Sequence, residues 1–206
     1  MLAAGLAMMA SPLAAQTPRT IRLVALGDSL TAGYMLPADA AFPVVLQKAL
    51  AARGIAVEIA NAGVSGDTST GGLARLDWSI PDGMDGVILE LGANDALRGL
   101  DPARTEANLD AIITRLKARN IKVLLAGMLA PRNNGPDYVA AFDGLFPRLA
   151  GKHALPLYPF FLDGVTGVPG MTLPDALHPS RAGVEEIVRR ILPITETFVR
   201  DMANSK

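Results

Sequence analysis

The chain has 206 residues and a formal net charge of −1, and it is 50% hydrophobic and 19% charged. This length and composition predict one domain with a sizeable core, and the near-neutral charge gives no reason to expect nucleic acid or an anionic membrane surface as a partner. The absence of cysteine excludes a thiol nucleophile, a disulfide framework and a cysteine zinc site.

The start of the chain resembles an export signal. Residues 2–15 form an almost uncharged run rich in Ala, Leu and Met, and small residues precede Gln16 as they do at a signal-peptidase site. The run is too short to span a bilayer. No Lys or Arg precedes it, and a frayed amphipathic start of the domain is the alternative, although the run has no polar face. We expect residues 1–15 to be a signal peptide and the protein to be periplasmic or secreted, with no stable membrane anchor.

Beyond this run, short apolar segments alternate with longer amphipathic ones. Segments rich in Val, Ile and Leu predict strands covered on both faces at residues 21–26, 57–60, 86–91, 121–126 and 155–158. Helical patterns occupy about residues 40–53, 69–79, 101–119, 137–152 and 180–202. The alternation predicts an α/β domain over residues 20–203, with a parallel sheet and helices on both faces. In such sheets the active or binding site lies beyond the carboxyl ends of the strands.

Three motifs follow the ends of the first three predicted strands: Gly-Asp-Ser-Leu at 27–30, Gly-Val-Ser-Gly-Asp at 63–67 and Gly-Ala-Asn-Asp at 92–95. They offer a nucleophile, Ser29, and three donors for an oxyanion: the backbone N–H groups of Ser29 and Gly66 and the amide of Asn94. Taken alone, Ser29 can be a turn or N-cap residue and Asn94 a turn former. Asp28 is interpreted as holding the turn, because adjacent side chains point in different directions.

The base is chosen between two histidines. His153 precedes the fifth predicted strand, near the amino edge of the sheet, and is interpreted as a surface residue. His178 ends an Asp-Ala-Leu-His motif in a loop, so Asp175 can accept from its Nδ1–H and leave Nε2 for a serine. The alternative is a loop-capping Asp175 beside a solvated histidine. A site with two histidine ligands would have to recruit His153, and we discount a metal.

The four motifs, with the longer strings at residues 61–69, 72–76 and 89–95, resemble the SGNH (or GDSL) hydrolase superfamily, and within it the bacterial periplasmic arylesterase/thioesterase/lysophospholipase branch. The resemblance covers roughly residues 22–198, and Ala93 departs from the Gly that is commoner in this branch. It implies a three-layer α/β/α, flavodoxin-like fold with five parallel strands in the order 2-1-3-4-5. It also implies no cofactor and hydrolysis of acyl esters and thioesters.

From the residues and the resemblance together we expect a serine esterase that forms an acyl-serine intermediate, with Ser29, Asp175 and His178 catalytic. The expected substrates are small aryl and short-to-medium acyl esters, with acyl-CoA and lysophospholipids as further candidates, and the expected state is a monomer. Apolar residues near the carboxyl edge of the sheet are candidates for an acyl groove, namely Leu36, Leu97, Met128, Phe160 and Phe161.

Two other functions stay open. A carbohydrate O-acetylesterase uses the same motifs but needs aromatic platforms for sugar rings, and the chain has one Trp and three Tyr. A flavodoxin-like binding module would carry the serine and histidine incidentally. Nucleotide binding has less support, because no predicted strand is followed by Gly-x-Gly-x-x-Gly or a Walker-type lysine.

Overall fold

A computed structural model describes residues 19–204. The predicted signal peptide, residues 1–15, lies outside the described residues. Within residues 19–204, none of the helices combines the length and the apolar character needed to cross a membrane.

The centre of the molecule is a five-stranded sheet in which all neighbouring strands are parallel. Its strands are β1 (Ile21–Gly27), β2 (Val57–Gly63), β3 (Gly86–Glu90), β4 (Lys122–Ala126) and β5 (Leu157–Tyr158). The spatial order is β2-β1-β3-β4-β5, which confirms the predicted order. The central strand β3 is buried along its whole length, as its apolar sequence predicts for a strand covered on both faces. The fifth strand is shorter than predicted, because Pro156 cannot donate to the ladder.

Helices cover both faces of the sheet, with α2 packed against α8 and α6 against α7. The helices are α1 (Ser29–Ala32), α2 (Phe42–Ala51), α3 (Ser69–Ala74), α4 (Leu76–Ser79), α5 (Ala93–Leu97), α6 (Pro102–Ala118), α7 (Pro136–His153) and α8 (Arg181–Asn204). Short 3₁₀ turns lie at Ala38–Ala40 and Arg132–Asn134. Proline occupies the first turn of α2, α6 and α7, where its missing N–H leaves no helical bond unmade.

Two short helices that the sequence pattern does not predict, α1 and α5, begin at the serine and asparagine motifs. With 4 and 5 residues they are too short to show a helical period. The helix predicted over residues 69–79 is also interrupted, at Arg75. The backbone of Arg75 leaves the helical region there, and its guanidinium turns inward to the carbonyl oxygens of Gly27 and Ala62.

The last residue of β2, Gly63, lets the chain segment after β1 pack directly on the sheet. A Cβ at Gly63 would lie 2.3 Å from the backbone nitrogen of Ala32 and 2.8 Å from the carbonyl oxygen of Asp28. Both atoms are backbone and cannot rotate away. The absence of a side chain at Gly63 therefore sets how closely α1, which begins with Ser29, approaches the second strand.

We predict that Gly63→Ala destabilises the fold, because overpacking against backbone typically costs about 1–3 kcal/mol. The matched control is Gly151→Ala in α7, where a Cβ would meet no atom of residues 19–204 within 4 Å. The control removes a helical glycine and raises the free energy of unfolding by about 0.5–1 kcal/mol. Urea unfolding of both variants measures the difference. Equal stability of the two variants would show that α1 does not pack as described.

Candidate active site

The carboxyl ends of β1 and β3 bring the serine and asparagine motifs together, and the loop before α8 adds the histidine. Ser29 starts α1 directly after β1, and its side chain is nearly buried. The Nε2 atom of His178 lies 2.9 Å from the Oγ atom of Ser29, although the two residues are 149 positions apart in the sequence. The structure thus brings together the predicted nucleophile and the predicted base.

The imidazole of His178 is held by the turn that carries it. Its Nδ1 atom lies 2.6 Å from Oδ2 of Asp175, while Oδ1 of Asp175 accepts the backbone N–H groups of Leu177 at 2.9 Å and His178 at 3.0 Å. The ring of Tyr34 lies against the imidazole with a centroid separation of 4.3 Å. These contacts orient the ring so that Nε2 faces Ser29.

The surroundings of Asp175 favour its charged form. The backbone N–H of His178, the imidazole of His178 and the N–H of Leu177 lower the pKa of Asp175 to about 2. A charged carboxylate only accepts hydrogen bonds, so the proton between the two side chains sits on Nδ1. The Nε2 atom is then left with a lone pair that can accept the hydroxyl proton of Ser29.

Two of the three predicted oxyanion donors line the cavity beside Ser29 and His178. Ser29 and Asn94 both line the cavity at this edge, whereas Gly66 does not. The Gly66 loop is joined to the end of α5 by Arg98, whose Nη2 donates to the carbonyl oxygen of Gly66 at 2.8 Å. Gly66 takes a φ of +82°, which favours glycine. The role of Gly66 as a donor therefore stays a prediction.

A buried arginine that the sequence analysis did not single out ties this edge together. Arg75 donates from Nη2 to the carbonyl oxygen of Gly27 and from Nη1 to that of Ala62, both at 2.8 Å. Its Nε pairs with Asp67 at 2.6 Å. Arg75 thus binds the last residues of β1 and β2 and, through Asp67, the loop that contains Gly66. It therefore fixes the spacing between these three segments.

Two buried carboxyl groups lie directly beneath the serine, and only one of them was noticed in the sequence. Asp28 and Glu90 are both 0% exposed. The sequence pattern predicts Glu90 only as part of an apolar strand. The signal that identifies it is a single acid inside the apolar run 87–91. Burial raises the pKa of Asp28 to about 6, and burial together with the nearby Asp28 raises the pKa of Glu90 well above its usual range.

A cavity of about 540 Å³ opens beside Ser29 and His178. Its wall is mainly apolar, and the residues that line it are Ser29, Leu30, Ala93, Asn94, Leu97, Met128, Leu129, Ala130, Pro131, Arg132, Phe160, Leu162, Thr166, Ala176, Leu177 and His178. Among the residues predicted for an acyl groove, Leu97, Met128 and Phe160 line it. Within residues 19–204, no group of three or more His, Asp or Glu side chains is arranged to hold a metal ion.

Two of the predicted groove residues do not line the cavity. Phe161 is fully buried, with its ring edge-on to Phe42 at a centroid separation of 4.9 Å. Leu36 is partly buried against the core. Phe160 and Phe161 are adjacent in the chain, and only Phe160 is directed to the cavity while its neighbour fills the core.

The other histidine lies at the opposite, amino edge of the sheet, as predicted, but the prediction that it is a surface residue is wrong. The side chain of His153 is only 11% exposed, and its Nε2 lies 2.6 Å from Oδ1 of Asp110. His153 ends α7, which packs on α6 and brings it to Asp110. Residues 19–204 therefore hold two histidine–aspartate pairs, and at the carboxyl edge the imidazole also lies within hydrogen-bond distance of a serine hydroxyl.

Comparison with known proteins identifies sequence relatives of this chain. The sequence model of the GDSL-like lipase/acylhydrolase family matches residues 25–185. The chain is 39% identical over 189 residues to "Esterase TesA" of Pseudomonas aeruginosa, covering 91% of this chain and 92% of that protein. It is 41% identical over 160 residues to "Thioesterase 1/protease 1/lysophospholipase L1" of Escherichia coli K12, covering 77% and 76%.

A solved structure has the same architecture. The psychrotrophic esterase EstA from Pseudoalteromonas sp., inhibited by monoethylphosphonate, superposes with a TM-score of 0.82 at 29% identity. The superposition covers 87% of this chain and 98% of EstA.

The two histidine–aspartate pairs allow a matched test of the site. We predict that His178→Ala lowers kcat for a p-nitrophenyl ester by at least about 10³-fold, because Ser29 loses its proton acceptor. His153→Ala removes an imidazole with a similar carboxylate partner at the far edge and leaves kcat unchanged. Steady-state kinetics of both variants give the comparison. Similar losses in the two variants would disconnect His178 from the chemistry.

Proposed function

The chain belongs to the GDSL-like lipase/acylhydrolase family and is a hydrolase of ester bonds, and we propose that it cleaves carboxylic esters and thioesters through a covalent acyl-serine intermediate. The observation that carries this proposal is the chain of hydrogen-bond contacts from Asp175 through His178 to Ser29, with separations of 2.6 Å and 2.9 Å. This chain of contacts ends at Ser29, which lines an apolar cavity that is large enough for a small ligand.

In the proposed reaction, Nε2 of His178 takes the hydroxyl proton as Oγ of Ser29 forms a bond to the acyl carbon. The carbonyl oxygen becomes an oxyanion, which accepts from the N–H groups of Ser29 and Gly66 and from the amide of Asn94. The C–O or C–S bond then breaks, and His178 returns the proton to the leaving alcohol or thiol. Water repeats the sequence on the acyl-serine and releases the carboxylic acid.

The cavity wall supports acyl and aryl groups as the part of the substrate that is recognised. Leu97, Met128, Phe160 and Leu162 offer apolar surface beside the serine. We propose aryl and short-to-medium acyl esters as good substrates, with acyl-CoA and lysophospholipids as candidates because they present the same acyl group. We also propose action in the periplasm or outside the cell, on the strength of the apolar run at residues 2–15.

The alternative, a carbohydrate O-acetylesterase, has less support from the placement of the aromatic residues. The single Trp, Trp78, is 74% exposed on α4 and does not line the cavity. None of the three tyrosines lines the cavity: Tyr34 lies on His178, Tyr138 stacks on Phe142 and Tyr158 is buried.

We predict that a fluorophosphonate label attaches to Ser29, since an activated serine attacks phosphorus as it attacks an acyl carbon. A phosphonate probe is chosen because the EstA structure is of the enzyme inhibited by monoethylphosphonate. Tryptic cleavage gives a peptide of residues 23–48 in which Ser29 is the sole serine, so mass spectrometry locates the label. Ser29→Ala is the control and stays unlabelled. A label on another peptide, or none on the folded wild type, would contradict the mechanism.

A second prediction concerns acyl length. For p-nitrophenyl esters, kcat/KM rises over the first added carbons by up to about fourfold for each buried methylene, which corresponds to about 0.8 kcal/mol. Phe160→Ala flattens this rise, because it removes apolar wall, while Trp78→Ala leaves it unchanged. The measurement is kcat/KM across a series from acetate to dodecanoate, with acetylated xylose as a comparison substrate. Faster turnover of the acetylated sugar than of the butyrate ester would favour the O-acetylesterase.

A further inference from the structure

The carboxylate of Asp28 contacts the side chain that the proposed mechanism uses as an oxyanion donor. Oδ2 of Asp28 accepts from Nδ2 of Asn94 at 3.0 Å. Oδ1 of Asp28 accepts the backbone N–H of Leu30 at 2.9 Å and so caps α1. Both oxygens of this fully buried carboxylate are therefore engaged, one by the helix that carries Ser29 and one by Asn94.

The charge on Asp28 decides which way the Asn94 amide faces. A carboxylate only accepts hydrogen bonds, so it selects the NH₂ end of the amide and leaves the second N–H of that group free to face the cavity. If Asp28 is neutral, it can donate a proton to the amide oxygen instead. The amide can then turn over and direct a lone pair, rather than a hydrogen, toward a developing oxyanion.

Glu90 at the end of β3 helps to keep the charge on Asp28. Its Oε2 lies 2.7 Å from Oγ1 of Thr31 and 3.4 Å from the backbone nitrogen of Asp28, and its Oε1 has no hydrogen-bond partner among residues 19–204. A fully buried carboxylate with one unpaired oxygen is costly when charged, so the neutral acid is favoured here. Gly27 makes room for this arrangement, because a Cβ there would lie 2.1 Å from Oγ1 of Thr31 and 2.5 Å from Oε2 of Glu90.

We propose that Asp28 is a positioning residue that locks the Asn94 amide with one N–H toward the cavity, and that Glu90 stays neutral beneath it so that the single charge of the pair rests on Asp28. This rests on the proposed function, because it assumes that Asn94 donates to the oxyanion. Asp28 acts only through Asn94 and touches no reacting atom.

This lock, the hydrogen bond from the Asn94 amide to the Asp28 carboxylate, also adds a pH dependence to the reaction. The groups that act on Asp28 are Glu90 on β3, Asn94 on α5, the His178 imidazole and Asp67, whose own charge is paired with Arg75. Burial dominates and holds the pKa of Asp28 at about 6, so the carboxyl gains a proton as the pH falls through this value. Activity therefore falls as Asp28 takes up this proton, because the neutral acid no longer holds the Asn94 amide in place.

The test is a double-mutant cycle on the folded enzyme with a p-nitrophenyl ester. Asn94→Ala lowers kcat on the order of 10²–10³-fold, as loss of one oxyanion donor does. Asp28→Asn lowers kcat by a similar factor in the wild type, with little change in KM, but by less than about threefold when Asn94 is already Ala. The part of the acid limb of kcat/KM against pH that comes from protonation of Asp28, near pH 6, is absent in Asp28→Asn. An equal loss from Asp28→Asn in both backgrounds would overturn the lock.

Two variants separate the lock from helix capping. Asp101→Asn alters an N-cap with the same side-chain contact, since Oδ1 of Asp101 accepts the N–H of Ala103 at 2.9 Å, and it leaves kcat unchanged. Asp28→Ser keeps a capping oxygen but lacks the second carboxylate oxygen, so it serves if Asp28→Asn fails to fold, and it loses activity to the same extent.

Glu90→Gln tests the neutral acid, because Gln is neutral and its amide oxygen can still accept the hydroxyl of Thr31. It keeps both kcat and the acid limb of the wild type, and a shifted limb would show that Glu90 carries the charge. If Asn94→Ala alone leaves kcat unchanged, the oxyanion role of Asn94 in the proposed function fails, and the lock fails with it. An additive cycle with an impaired Asn94→Ala overturns the lock alone.

Discussion

The contact between Nε2 of His178 and Oγ of Ser29 is the interaction on which the site depends, and it joins two ends of the fold. Ser29 is fixed by β1 and the cap of α1, whereas His178 lies in a loop that must be held against the carboxyl edge of the sheet. An antiparallel bridge between Thr172 and Pro179 closes the base of that loop. The hydrogen bond from the N–H of Leu173 to the carbonyl oxygen of His178, at 2.7 Å, tightens it further.

The position of the loop follows from the helix after it. α8 buries one side against the sheet through residues such as Val184, Ile187 and Ile191, so its start cannot shift along the molecule. Gly183 at this start lies so close to the loop that a Cβ would be 2.0 Å from the carbonyl oxygen of Met171. Core packing far from the chemistry thus determines where the imidazole is found.

The pKa values of two aspartates near the active site are shifted in opposite directions, and the difference follows from their surroundings. Asp175 is partly exposed and receives two backbone N–H groups and an imidazole, so its pKa falls to about 2. Asp28 is fully buried beside a second carboxyl group, so its pKa rises to about 6 despite its hydrogen bonds. The surroundings of Asp175 stabilise the charged carboxylate that orients His178. The surroundings of Asp28 raise its pKa, so the charge on Asp28 depends on pH.

Sequence alone determined the strand order through the family resemblance, the alternation of strands and helices through apolar periodicity, and the candidate nucleophile and base through the motifs and a count of two histidines. These are local or compositional signals. Contacts between distant residues decided the rest: which of two adjacent phenylalanines enters the cavity, that Arg75 turns inward, and that Glu90 meets Asp28 from a neighbouring strand. A strand's apolar period records that a residue is buried, but only packing between strands determines which group it is buried against.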